Sequence, residues 1–127
     1  MAKRGIVDIS NLLTPPEKHE LATANYFADM GKDVTFIRPS NIPDNHRPDI
    51  LMDGIEWEIK APKGKGKRNI EKNYHNASLQ SMNIIFDLRR IKLSDEQCLN
   101  QLEIEFKDKR TKRLLVIKKN GELVEYS

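Results

Sequence analysis

The 127-residue chain predicts an α/β (α+β) domain, a mixed central β-sheet flanked by helices. Three observations carry that reading. Two turn dipeptides, Asp53-Gly54 and Asn120-Gly121, each lie between β-rich runs. Helix-start signals stand at Thr14-Pro15-Pro16-Glu17 and at Ser94 with Gln97 three residues on. Between these, helical and β patterns follow one another in the order α-β-β-β-α-β-α-β-β.

Each element has its own signal. Residues 1–14 show no clear period and read as an N-terminal arm or short strand, which leaves 15–127 as a single domain. Thr14 as N-cap, Pro15 in the first helical position and Glu17 at capping-box spacing predict a helix running to about Met30, where Gly31 ends it. Its apolar stripe is Leu21, Ala24, Phe27 and Ala28. Val34–Ile37 and Pro48–Met52 are short strands. Asp53-Gly54 then turns the chain into Ile55–Lys60, where apolar and charged residues alternate. That alternation puts Ile55, Trp57 and Ile59 on one face and Glu56, Glu58 and Lys60 on the other. After the basic, glycine-spaced loop APKGKGKRN come a helix over about 69–82, a buried strand at 83–88 and a helix over about 95–106. Two strands, Arg113–Lys118 and Glu122–Tyr126, close the chain around Asn120-Gly121.

Composition narrows the function classes. Lys and Arg number 22 against 19 Asp and Glu, a net charge of only +3. The distribution says more: residues 1–59 hold 6 basic and 10 acidic side chains, −4, while 60–127 hold 16 and 9, +7. Apolar runs are too short for a transmembrane helix. The first twenty residues contain no apolar stretch of signal-peptide length, so a cytoplasmic site of action is expected. Cys98 is the single cysteine; it excludes an intrachain disulfide and reads as a packing residue.

The most informative stretch is PDILMDGIEWEIK. Folding it at Asp53-Gly54 brings Asp49 close to Glu58 or Lys60. Two carboxylates on one hairpin face repel each other unless a cation sits between them. Asp49, Glu58 and the Ile59 carbonyl form an all-oxygen set, which favours Mg²⁺ or Mn²⁺ over Zn²⁺. Lys60 beside such an ion would orient an attacking water or stabilise charge developing on a phosphoryl group. The implied reaction is metal-assisted phosphodiester hydrolysis.

These residues resemble the PD-(D/E)xK nuclease superfamily, with Pro48-Asp49 as the first half of the motif and Glu58-Ile59-Lys60 as the second. The resemblance extends over about residues 17–125 to the C-terminal tRNase domain of CdiA-type contact-dependent growth inhibition toxins. It is carried by HELATANYFADMGKDVTFI, PDILMDGIEWEIKAP, ASLQSMNIIFDL and LLVIKKNGELVEY. It implies a restriction-endonuclease-like core and a metal-dependent RNase that cuts tRNA, delivered as a toxin and neutralised by an immunity protein. Carried over by position, Glu20 matches the family's helical acid and joins the metal set. Asp49, Glu58 and Lys60 match its core triad, and Gln80 falls where related nucleases present a polar helix residue.

Competing readings attach to the same residues. Helical spacing sets Glu20 in line with Ala24 and Phe27, yet it could be an ordinary exposed carboxylate. Lys63, Lys65, Lys67 and Arg68 directly follow Lys60 and are expected to meet substrate phosphates; a solvated charge run is the plain alternative. Lys107, Lys109, Arg110, Lys112 and Arg113 could lengthen that footprint. Asn73 and Asn76 are lesser candidates than Gln80, and His19, His46 and His75 share no element that would pair them. A DNA endonuclease of the same fold, or an inactive nucleic-acid-binding module, remain the alternatives to an RNase. A monomer is expected.

Overall fold

The computed structural model describes residues 3–43 and 45–127; Met1 and Ala2 of the expected arm lie outside them. The elements, in chain order, are β1 (Val7–Asp8), α1 (Lys18–Asp29), β2 (Val34–Phe36), β3 (Ile50–Met52), β4 (Ile55–Lys60), α2 (Asn69–Ser78), β5 (Asn83–Asp87), α3 (Asp95–Lys109), β6 (Arg113–Ile117) and β7 (Leu123–Tyr126). The seven strands form one mixed sheet in simple sequence order. β1–β2, β4–β5 and β5–β6 are parallel, each joined across a helix, whereas β2–β3, β3–β4 and β6–β7 are antiparallel. Part of the arm is thus a sheet strand, paired Val7 to Val34. No helix among the described residues is long and apolar enough to cross a membrane.

Period two divides the core between the two faces. Trp57, Ile59, Ile85 and Ile117 face α1, packing with Ala24, Phe27, Phe36 and Ile50. Ile84, Phe86, Leu114 and Val116 face α2 and α3, packing with Ile70, Tyr74, Cys98 and Leu102. Cys98 is fully buried there, as a packing residue should be.

Three helix boundaries differ from expectation, two of them for a local reason. α1 begins at Lys18, with Glu17 as its N-cap, rather than at Pro15 with Thr14 as cap. A proline disfavours helical backbone in the residue before it, so Pro16 keeps Pro15 extended and postpones the helix. α2 ends at Ser78 instead of continuing to 82. Ser81 leaves the helix because its hydroxyl donates to the Glu56 carbonyl at 3.1 Å and accepts from Asn83 N at 3.0 Å. α3 starts as its sequence indicates, Gln97 N donating to Ser94 Oγ at 3.2 Å, but runs one turn further, to Lys109.

Candidate active site

The β3–β4 hairpin sets the site's geometry. Asp53 and Gly54 both have positive φ, 57° and 74°, the backbone of a tight two-residue turn that glycine adopts without strain. Such a short turn fixes the register: Ile50 opposes Trp57, so Asp49 comes opposite Glu58 just beyond the ladder. Asp49 N donates to the Trp57 carbonyl at 2.9 Å. Ile59 N then donates to Asp49 Oδ2 at 2.8 Å, which clamps the carboxylate against the strand. A strand residue sends its N–H and C=O to the same edge. The Ile59 carbonyl therefore opens towards Asp49, past the end of β3.

Glu58 is only 3% exposed. Its Oε2 lies 3.7 Å from Lys60 Nζ, and its Oε1 is buried with no hydrogen-bond partner. Burial first, then the charge of Asp49, push the Glu58 pKa up to about 8; Lys60 offsets part of the rise. Two ionised carboxylates cannot donate to each other. Glu58 therefore satisfies its buried oxygen either by taking a proton or by meeting a cation.

Glu20 reaches the same place from the first turn of α1. Its pKa is raised by burial and by the charge of Asp49. One of its oxygens is already engaged, since Glu17 N donates to Glu20 Oε1 at 3.1 Å. The residue expected to be a site acid thus also caps the helix, a role the sequence pattern gives to Glu17.

Glu20, Asp49, Glu58 and Lys60 line one cavity of about 370 Å³ together with His19, Asn73 and Arg90. Among the described residues no three His, Cys, Asp or Glu side chains close into a ready-made metal cage. The donors that fit a hard divalent ion are two carboxylates and a backbone carbonyl, with Glu20 at the edge. The orphaned Oε1 of Glu58 is the observation that favours such an ion here.

Gln80 does not join this group. It lies beyond the end of α2, its N–H bonded to the Ala77 carbonyl at 2.9 Å, and lines a smaller cavity with His46, Arg47 and Asp49. Asn73 is the α2 residue that faces the acidic cleft, oriented by hydrogen bonds to Asn69 at 2.8 and 2.9 Å. Spacing alone does not single out His19, at the start of α1. Nor does it single out Arg90, whose guanidinium Nε donates to the Ala61 carbonyl at 3.0 Å. The signal for Arg90 is positional: a basic pair, Arg89-Arg90, follows β5 at the C-terminal end of a parallel strand, the end where α/β sheets bind ligands.

Lys63, Lys65, Lys67 and Arg68 are all exposed. Their backbone is held: Gly64 bridges to Ile91, Lys92 N donates to the Gly64 carbonyl at 2.7 Å, and Asn69 Nδ2 donates to the Lys63 carbonyl at 2.7 Å. Gly64, at φ 93°, takes a backbone that side-chain-bearing residues rarely adopt. The second basic run lies elsewhere. Arg113 begins β6 opposite Asn83, at the end of the parallel strands away from Lys60.

A family model described as the contact-dependent growth inhibition CdiA C-terminal domain matches residues 46–123, a span that holds Asp49, Glu58 and Lys60. No curated protein matches the chain. Among solved structures, a chain of the CdiA-CT/CdiI toxin and immunity complex from Burkholderia pseudomallei shares this fold. Its TM-score is 0.66 at 21% identity, over 97% of this chain and 99% of that one. A mixed α+β sheet with the family's sequence over more than half its length makes this chain a member of the CdiA C-terminal domain family of contact-dependent growth inhibition.

Proposed function

We propose that this domain is a divalent-metal-dependent endonuclease of the PD-(D/E)xK kind, hydrolysing phosphodiester bonds in RNA, with tRNA as its substrate. As a toxic effector it would work as a monomer in the cytoplasm of a target cell and be neutralised by an immunity protein. The observation that carries the reading is Glu58: a nearly buried carboxylate with an orphaned oxygen, facing Asp49 and Lys60 across a polar cleft.

Asp49, Glu58 and the Ile59 carbonyl would hold Mg²⁺ or Mn²⁺, with Glu20 beside them. When bound, that ion supplies Lewis acidity towards the phosphate and makes a nearby water more acidic. The chain's own residues do the rest. Lys60 stabilises the charge that develops on the phosphoryl oxygens and orients the water. Arg90 adds a second cation at the cleft. The basic loop 63–68, held by its backbone bonds, receives the phosphates that flank the cut. Water attack leaves a 5′-phosphate on the downstream fragment.

The test is to incubate the protein with total tRNA and with plasmid DNA, in Mg²⁺, in Mn²⁺ and in EDTA, and to map the ends formed. Metal-dependent cleavage of tRNA with 5′-phosphate ends is expected. Cleavage of DNA alone would replace tRNA with the DNA endonuclease reading. Cyclic phosphate ends formed in EDTA would remove the metal and turn attention to 2′-OH chemistry. Salt-sensitive RNA binding without cleavage in either metal would leave a binding module.

A further inference from the structure

A second and larger cavity, about 780 Å³, adjoins the acidic cleft and shares Glu20 and Asp49 with it. One wall is the segment Leu12–Glu17 that leads into α1; the other is Phe36 at the end of β2, the chain that follows it to Ile42, and Arg47. The surface between them is mainly apolar. Leu13 and Ile42, which stand on opposite walls, are 84% and 60% exposed. Pro15 and Pro16 add two rigid ring faces, and Arg38 and Arg47 bring positive charge.

Hydrogen bonds tie the walls together. Arg38 Nε donates to the Asn11 carbonyl at 2.9 Å, and Asn11 Nδ2 to the Phe36 carbonyl at 3.4 Å. Ser40 Oγ, in the second wall, accepts from Ile42 N at 3.2 Å and from Asn45 Nδ2 at 3.0 Å. A preformed apolar slot with polar groups and cations at its rim has the chemistry of a small-molecule site, and its volume falls within the roughly 300–1,000 Å³ of such sites.

We propose that this groove receives the nucleobase of the RNA nucleotide next to the scissile phosphate, flipped out of its stack, while Arg38 and Arg47 hold the adjoining backbone. The inference rests on the nuclease reading of the cleft. Continuity is its main support: a groove bounded by Asp49 and Glu20 begins where the reacting phosphate would lie. Every nucleobase has a flat apolar face that proline rings and leucine or isoleucine side chains can cover, and Ser40 and Asn41 can hydrogen-bond its edge. Selection of an unpaired base in this slot would decide where a folded RNA is cut.

Two measurements on the full chain test the groove separately from the cleft. Methyl NMR in EDTA, where metal-dependent cleavage does not proceed, follows Leu13 and Ile42 during titration with AMP, CMP, GMP, UMP and ribose 5-phosphate. At least one mononucleotide should shift both methyls saturably, ribose 5-phosphate should not, and Leu13→Ser/Ile42→Ser should weaken the binding tenfold or more. Both side chains are exposed, so the variant should fold, and its circular dichroism checks that it does. In cleavage, the variant should lose at least tenfold in kcat/KM on an RNA oligonucleotide carrying the mapped cut site. It should equal the wild type on the same oligonucleotide made abasic beside the cut. Ribose 5-phosphate acting as the mononucleotides do, no shift with any of them, or a variant that keeps the wild-type ratio between intact and abasic substrates would each overturn the groove and leave the nuclease reading standing. Base-dependent shifts in a chain that cleaves no nucleic acid would keep the groove and overturn the nuclease reading.

Discussion

Glu58 and Asp87 are buried alike, each 3% exposed, on opposite faces of neighbouring parallel strands, yet they hold their protons in opposite ways. Asp87 is fully served. Thr23 Oγ1 donates to it at 2.7 Å, and Arg89 donates through Nη2 at 2.7 Å, Nε at 2.9 Å and its backbone N–H at 3.1 Å. Burial alone would raise its pKa; the hydrogen bonds from Arg89 and Thr23, with the charge of Arg89, outweigh burial and lower it. Arg89 is itself held by the Ala22 carbonyl at 3.2 Å and the ring of Tyr26 at 5.2 Å. Glu58 has only a lysine 3.7 Å away and a second carboxylate for company, and its pKa rises to about 8. A satisfied buried charge joins α1 to the sheet. An unsatisfied one is what the proposed metal site would use.

The contrast breaks most visibly through activity. Lys60→Ala should lower tRNA cleavage by about 10²–10³-fold, the scale for removing one electrostatic group from a transition state. Urea denaturation should change little, because Lys60 is partly exposed. Arg89→Ala should do the reverse. It leaves Asp87 buried without its cation and should cost about 3 kcal/mol in urea denaturation, with cleavage per folded molecule retained.

The two carboxylates should also give stability opposite slopes with pH. The raised pKa of Glu58 means that the folded state holds a proton the unfolded chain releases. Stability is then present in full below about pH 4.5 and lost as pH rises through about 8, by an amount on the order of a few kcal/mol. The lowered pKa of Asp87 contributes stability above its ordinary value of 3.8, lost as pH falls through the lowered one. Thermal melts from pH 3 to 9 should show both limbs. Glu58→Gln should flatten the upper limb and leave the acid limb intact. Mn²⁺ should raise the melting temperature more at pH 8 than at pH 5, since ligands must shed protons to bind metal. The smallest effect belongs to the loop. Alanine at Lys65 and Lys67 should weaken RNA binding modestly and make its salt dependence shallower, by about one unit of slope for each phosphate left without a cation.

Much of the site's framework was legible because its determinants are local. Asp53-Gly54 and the alternation of IEWEIK define β4 to the residue, and the short turn alone makes neighbours of Asp49 and Glu58. What stayed hidden depends on contacts distant in sequence. Arg90 enters the cleft by bonding Ala61, 29 residues away. The groove exists because β1 pairs with β2 and brings residues 12–17 beside 36–42. Glu58 is buried on the sheet face that α2 covers, whereas alternation by itself assigns it only to the charged face of β4. The early end of α2, which takes Gln80 off the helix, turns on one serine hydroxyl bonded to a strand 25 residues back.

The nuclease reading has Glu58 left unsatisfied for catalysis and Asp87 satisfied for structure. Its most direct test is the rate of tRNA cleavage in Mg²⁺ by Glu58→Gln, relative to wild type, at a temperature where both are folded. Loss of at least a hundredfold in rate from a variant that melts no lower than wild type is the predicted result. Cleavage at the wild-type rate would remove Glu58 from the proposed chemistry.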